Sequence, residues 1–104
     1  MQLSVLLKNQ QQILELGLDG KDVLIMDWIM EMCERRGCLI GDYYYFKINK
    51  NNIIRDLPIL KIKNPTQIAR KLQKLCNADF LVSEHYNGEK VYRLSTNAFL
   101  LVRI

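Results

Sequence analysis

The sequence predicts an α+β fold that is mostly helical, with a small three-stranded antiparallel sheet. The first observation is the run of residues 64–81, NPTQIARKLQKLCNADFL, in which apolar side chains recur at the helical period. The second is the pair of strand-like runs that follows, LVSEHY and KVYRLS. They are joined by Asn87-Gly88, a dipeptide that tolerates the positive φ angles of a tight hairpin. A helix that leads into such a hairpin, the wing, is typical of a winged helix-turn-helix.

The N-terminal third predicts one long helix after a less regular start. Residues 3–7, LSVLL, favour a short strand, and residues 9–16 favour a short helix that Gly17 ends. A stronger helix covers residues 20–36, with Asp22 near its positive N-terminal end. Most of its circumference is apolar, so we expect it to be buried on more than one side. One side meets the domain core, and the other meets the N-terminal segment, the C-terminal tail or a second subunit.

The middle of the chain predicts a turn, a strand and a short helix. Residues 38–42 are expected to turn, and residues 43–48, YYYFKI, to form the third strand of the sheet. The tyrosines also fit a base-stacking platform, but a short aromatic strand beside a hairpin more often completes a sheet. Asn49 is placed to cap a helix that Pro58 closes. This helix and the one from Pro65 would form the helix-turn-helix. The sequence of the tail, residues 96–104, is compatible with either a strand or a helix.

The helix from Pro65 has two distinct faces. Asn64 provides an N-cap acceptor, and Pro65 suits the first helical position, where its missing N–H has no partner to lose. The helical period separates an apolar face from a polar, basic one. The inward positions are Ile68, Leu72, Leu75 and Cys76. The outward positions are Thr66, Gln67, Arg70, Lys71, Gln73 and Lys74.

The 104 residues predict one domain, residues 1–104, with its core at about residues 13–96. The net charge of +4 is unevenly distributed. Residues 1–42 hold four Lys/Arg and seven Asp/Glu, residues 43–74 hold eight and one, and residues 75–104 hold three of each. The middle third therefore carries a charge of +7. Such asymmetry favours a polyanionic partner that is contacted from one side, most economically nucleic acid.

The cysteines and the acidic residues predict no metal, cofactor or catalytic site. A Cys3His zinc site is conceivable, but its ligands would lack the close paired spacing of most zinc sites, so we expect free, buried thiols. Those four residues are Cys33, Cys38, Cys76 and His85. Asp27 and Glu31 share a helical face but are expected to be a solvated stripe. Without a signal peptide or an apolar run of spanning length, the expected location is the cytoplasm, away from membranes.

A DNA-binding function assigns a role to each basic position. A helix in the major groove presents its N-terminal outward residues to base edges, so Thr66, Gln67 and Arg70 are the candidates for base readout. The expected phosphate contacts come from the turn, the rest of the helix and the wing. They are Lys61, Lys63 and Asn64 in the turn, Lys71 and Lys74 on the helix, and Asn87, Lys90 and Arg93 on the wing hairpin.

Several segments together resemble a known group of domains. They are LGLDGKDVLIMDWI, YYYFKINKNNIIRDLPIL, the helix from Pro65, ADFL at 78–81 where the pattern reads "aGLi", and the final YRLS. Over residues 13–96 the chain resembles the N-terminal winged-helix domains of phage replisome organisers, DnaD-type primosome proteins and plasmid replication initiators. The resemblance implies binding of double-stranded origin DNA through residues 65–77 and 86–90, with self-association. Two departures stand out: Asp79 replaces the usual glycine, and this sequence does not include the second domain of those proteins, which leaves an excised domain and a minimal protein as alternatives.

We therefore expect sequence-specific binding of double-stranded DNA in the replication initiation of a phage or plasmid. A transcription regulator is the alternative within the same class. A protein-interaction winged helix is the alternative of another class, with the outward face of the 65–77 helix packed on a protein. Further expected partners are replication proteins and a second copy of the chain, contacted through the 20–36 helix and the termini.

Overall fold

Three α-helices and two β-hairpins make up the part of the chain that the computed structural model describes, residues 17–96 and 98. The elements in order are α1 Gly20–Arg36, β1 Cys38–Ile40, β2 Tyr43–Tyr45, α2 Lys50–Asp56, a 3-10 helix Pro58–Leu60, α3 Pro65–Asn77, β3 Leu81–Tyr86 and β4 Glu89–Leu94. The predicted α+β class is confirmed. The strand and helix predicted within residues 1–16, and most of the tail, lie outside the described residues.

Helix α1 begins and ends as its sequence predicts. The Asp19 side chain accepts a hydrogen bond from the Asp22 N–H at 2.8 Å, and the Asp22 carboxylate accepts one from the Asp19 N–H at 3.1 Å. This reciprocal pair satisfies two N–H groups that helix geometry leaves without partners. The apolar residues buried along the helix are Val23, Ile25, Met26, Trp28, Ile29 and Cys33. No helix of the described residues is long and apolar enough to cross a bilayer.

The predicted three-stranded sheet is wrong. Strands β1 and β2 form one antiparallel hairpin, β3 and β4 form another, and a single bridge between Phe46 and Tyr92 joins them. Each of its two backbone hydrogen bonds is 2.9 Å long. If the pairing continued in this register, Tyr44 would lie opposite Leu94. The pairing stops before that point, where the Leu94 carbonyl accepts a hydrogen bond from the Arg93 guanidinium at 3.0 Å.

The other end of this pairing is limited by local sequence. Asn49, three residues after Phe46, already caps α2 by accepting a hydrogen bond from the Asn51 N–H at 3.0 Å. The strand predicted for residues 43–48 is therefore confirmed for Tyr43–Tyr45 alone. The predicted turn at residues 38–42 is also too long, because Cys38–Ile40 is a strand.

The connection between α2 and α3 is anchored by alternate side chains. Leu60 and Ile62 are buried, whereas Ile59, Lys61 and Lys63 are exposed. Lys61 takes the left-handed conformation with φ 56°. Helix α3 then begins at its predicted residue, and its first turn is capped by the Asn64 side chain, which accepts from the Thr66 N–H at 2.9 Å.

Helix α3 ends in a left-handed turn built on Asp79. The Phe80 N–H bonds to the Leu75 carbonyl at 2.9 Å, and the Asp79 N–H bonds to the Cys76 carbonyl at 3.1 Å. This pair of hydrogen bonds requires a positive φ at position 79, which is why glycine is usual at this point of a helix end. Asp79 adopts φ 62°, so the turn keeps the glycine-type conformation at the cost of some backbone strain. In the hairpin that follows, Asn87 and Gly88 both have positive φ, as predicted.

A buried carboxylate ties α1 to α3. The Asp22 side chain is fully buried, with Lys71 Nζ at 3.2 Å from one oxygen and Lys74 Nζ at 2.7 Å from the other. Lys71 also lies 3.5 Å from Asp19. Burial alone would raise the pKa of Asp19, but the Asp22 N–H and the two ammonium groups lower it. The hydrogen bond to Asp22 raises the pKa of Lys74. Two carboxylates and two ammonium groups thus neutralise one another at the helix junction.

Removal of the Asp22 carboxylate should destabilise the fold. Asp22→Ala removes the carboxylate that both lysines share and leaves Asp19 as the remaining counter-charge at the junction, so we expect the free energy of unfolding to fall by about 3 kcal/mol, near the lower end for breaking a buried ion pair. The matched control is Glu31→Ala, which removes the exposed Glu31–Arg35 pair and should cost about 0.5 kcal/mol or less. Urea unfolding measures both. Equal losses in the two variants would contradict a special role for Asp22.

Candidate nucleic-acid interface

The outward face of α3 holds all three predicted readout residues. Thr66, Gln67 and Arg70 are exposed, whereas Ile68, Leu72 and Leu75 on the opposite side are fully or almost fully buried. Neither ion pair nor hydrogen bond from the described residues engages the Arg70 guanidinium. The sequence periodicity therefore predicts the exposure of these three side chains correctly, and they can contact a ligand.

Lys71 and Lys74 do not belong to this free surface. They lie on the flank of α3 that meets the first turn of α1, where both ammonium groups contact Asp22. The side chain of Lys71 is 20% exposed, so its predicted outward position is wrong. The Lys74 side chain is more exposed, but its ammonium lies closer to the Asp22 carboxylate than that of Lys71. Contact between these lysines and DNA phosphate would compete with a fully buried carboxylate.

The turn before α3 presents the other predicted basic residues. Lys61, Lys63 and Asn64 are exposed, and within the described range neither lysine has an ion pair. The buried Leu60 and Ile62 hold the backbone from which these side chains project. The side-chain oxygen of Asn64 accepts the capping hydrogen bond, which leaves the N–H groups of its side-chain amide available.

The β3–β4 hairpin, the predicted wing, presents one of its two predicted cations to solvent. Lys90 is exposed, with its ammonium 5.5 Å from the centre of the Tyr92 ring. Burial raises the pKa of Cys76, and the charge of Lys90 partly opposes that rise. The charge of Lys90 is therefore felt in the last turn of α3. Asn87 is exposed at the tip of the wing.

Arg93 is not brought to the wing tip. Its guanidinium lies 3.8 Å above the centre of the Tyr43 ring, and its Nε donates to the Tyr45 hydroxyl at 3.3 Å. Together with its bond to the Leu94 carbonyl, these contacts hold Arg93 at the junction of the two hairpins. Its role in the structure is to join the hairpins.

Half of the basic side chains in residues 43–74 already form ion pairs within the protein. Four of the eight Lys/Arg residues in 43–74 form ion pairs with carboxylates: Lys47, Arg55, Lys71 and Lys74. The other four have no ion pair among the described residues: Lys50, Lys61, Lys63 and Arg70. Three of those four lie in the turn and on the first half of α3. The free positive charge is thus smaller, and more localised, than the value of +7 indicates.

The large exposed apolar side chains of the described surface lie outside α1, whose apolar residues are mostly covered, as expected of a helix buried on more than one side. Most of the terminal segments, where the sequence also predicts apolar surface, lies outside the described residues. Leu39, Tyr43 and Tyr44 cluster on the β1–β2 hairpin, Ile59 lies in the turn before α3, and Tyr86 lies at the end of β3. The hairpin borders a cavity of about 150 Å³ that Met30 and Arg93 also line.

The three thiols occupy different environments. Cys33 is buried and donates to the Tyr92 carbonyl at 3.5 Å, and Cys38 is exposed. Burial, assisted by the charge of Glu34, raises the pKa of Cys33 to about 11. Among residues 17–96 and 98, no three His, Cys, Asp or Glu side chains lie close enough together to hold a metal ion. Free thiols without a bound metal remain a prediction.

No protein-family model, curated protein or solved structure matches the chain. The resemblance to replication proteins therefore stays a prediction.

Alkylation should distinguish the three cysteines. A thiol pKa of about 11 instead of 9.0 lowers the thiolate fraction of Cys33 near pH 8 by about a hundredfold, and burial adds steric protection. We expect iodoacetamide to modify exposed Cys38 first, half-buried Cys76 later and Cys33 on unfolding. Peptide mass spectrometry over a time course measures this order. Early modification of Cys33 in the folded protein would contradict its buried position.

Proposed function

We propose that this chain is a winged helix-turn-helix domain that binds double-stranded DNA sequence-specifically, with α3 in the major groove. The order of elements supports the proposal: a long helix, a hairpin, two short helices and a second hairpin. The Phe46–Tyr92 bridge supports it further, because it connects the first hairpin to the base of the second. In this proposal α2 and α3 form the helix-turn-helix, and β3–β4 is the wing.

The observation that carries the proposal is the chemistry of the exposed face of α3. Arg70 can donate two hydrogen bonds to guanine O6 and N7, and Gln67 can bridge adenine N6 and N7. Thr66 can contact a base or a thymine methyl group. These side chains project from a helix whose orientation is fixed by its buried apolar face and by the Asp22 ion pairs. Such rigid presentation suits base recognition.

Phosphate contacts at both ends of α3 would set its position in the groove. Lys61 and Lys63 flank the N-terminus of the helix, where unpaired backbone N–H groups also favour an anion. Asn87 and Lys90 supply the wing contact at the other end. We leave Lys71, Lys74 and Arg93 out of the proposed contact set because their charged groups are bound within the protein.

We further propose that the binding serves replication initiation of a phage or plasmid, as the resemblance implies. A transcription regulator is the alternative. Footprinting separates the two, because an initiator would occupy clustered direct repeats and a dimeric regulator one palindrome at a promoter. The exposed Leu39, Tyr43 and Tyr44 favour a second candidate function, protein interaction through the β1–β2 hairpin. None of these three side chains belongs to the proposed DNA contact set.

Salt dependence should count the phosphate contacts. If Lys61, Lys63 and Lys90 each neutralise one phosphate, the plot of log affinity against log salt should have a slope of about −3, with about 0.9 per contact. Lys61→Ala should lower the magnitude of that slope by about one. Fluorescence anisotropy with a labelled duplex at several salt concentrations gives the slope.

The control for this measurement is Arg35→Ala. Arg35 is exposed and paired with Glu31. It belongs to α1, which supplies none of the proposed DNA contacts. Its removal should leave the slope unchanged. An equal change for Lys61→Ala and Arg35→Ala would show that the binding reflects overall charge, and duplex binding that is absent even at low salt would refute the proposal.

Arg70 should contribute to sequence preference instead of general affinity. Arg70→Ala should weaken binding to the preferred duplex by about 1–3 kcal/mol and flatten the preference at one base pair. Arg70→Lys should restore little, because lysine lacks the planar fork that matches guanine. Competition with single-base variants of the preferred duplex measures the effect. Equal losses on preferred and random DNA would mean that Arg70 contacts phosphate only.

A further inference from the structure

Four polar side chains form a straight line along the whole of α3. Successive helical residues are about 100° apart, so positions 66, 70, 73 and 77 fall within an arc of about 60°. Thr66, Arg70, Gln73 and Asn77 are all exposed, and the centre of their arc lies opposite the buried side of the helix. The line covers eleven residue steps, about 16 Å. It extends well beyond the three residues that the sequence singled out for readout.

The last two members of this line are joined to each other. The Gln73 amide nitrogen donates to the Asn77 amide oxygen at 2.9 Å. Both side chains are exposed, so the bond leaves several groups facing outward. Gln73 retains its carbonyl oxygen and one N–H, and Asn77 retains two N–H groups. The bond also reduces the freedom of both amides before any ligand is bound.

Lysines that form no ion pair with any described residue act at both ends of the line. Lys61 and Lys63 precede the N-terminus of α3, and the charge of Lys90 acts on Cys76 in the last turn. DNA that contacts the turn and the wing together would therefore run past the C-terminal half of α3 as well as the N-terminal half. Gln73 and Asn77 would then face base edges.

We infer that Gln73 and Asn77 form a second base-reading pair on α3, adjacent to the base pair that Arg70 contacts. This inference rests on the proposed DNA-binding function. The carbonyl oxygen and remaining N–H of Gln73 match adenine N6 and N7. The N–H groups of Asn77 match the acceptor edges, guanine O6 and N7 or thymine O4. Three residues of helix advance about 4.5 Å and base pairs about 3.4 Å, so Gln73 reads about one base pair beyond Arg70.

The test compares base preferences of variants over a set of duplexes in which each position is changed singly. Gln73→Ala and Asn77→Ala should each lose about tenfold in affinity for the preferred duplex and flatten preferences beside the Arg70 position, at unchanged salt slope. Gln73→Glu should move its preference from adenine towards cytosine, because a carboxylate accepts from cytosine N4. Arg35→Ala is the control and should keep the full profile.

Each other outcome counts against the inference in a defined way. A wild-type profile in both alanine variants, or equal loss on all sequences, would overturn it while leaving duplex binding by α3 intact. A wild-type protein that binds no duplex would refute the proposed function and the inference together. Thermal unfolding of the alanine variants checks that a loss of affinity does not arise from a loss of fold.

Discussion

The buried Asp22 carboxylate decides how α3 is oriented in this domain. A charge removed from water must be paired and hydrogen-bonded, and Asp22 meets that requirement with Lys71, Lys74 and the Asp19 N–H. Because these partners come from both helices, the carboxylate acts together with the buried apolar face of α3 to fix the rotation of this helix about its own axis. That rotation brings Lys71 and Lys74 towards α1 and leaves the line from Thr66 to Asn77 facing outward. A structural ion pair thereby determines which polar side chains can meet a ligand.

The same kind of constraint shapes the sheets. Arg93 is placed between the two hairpins, where it stacks on the Tyr43 ring and bonds to the Tyr45 hydroxyl and the Leu94 carbonyl. The guanidinium binds the Leu94 carbonyl, which is an acceptor that continued pairing between β2 and β4 would need. Half of the cations in residues 43–74 are likewise bound to carboxylates of this chain. Charge in this domain therefore has two separate roles, holding elements together and facing solvent.

The parts predicted from sequence are those with a local physical cause. Asn64 and Pro65 set the start of α3, and Asn87-Gly88 sets the hairpin turn, because each signal acts within a few residues. The side-chain contacts that the sequence did not indicate join residues distant in sequence. Lys71 and Lys74 are about fifty positions from Asp22, and Arg93 is similarly far from Tyr45, so no periodicity shows their contacts. Outward polarity of a helix predicts exposure, but it does not predict which charged groups already have partners.

The most direct test of this account is an amide chemical-shift titration of the isotope-labelled protein with duplex DNA that carries its preferred site. The account predicts shifts that concentrate in the turn at residues 58–64, along the exposed line of α3 and in the wing at residues 87–90. The β1–β2 hairpin, Cys38–Tyr45, should change little. Shifts centred on that hairpin, with α3 unchanged, would contradict the account and move the functional surface to the exposed tyrosines.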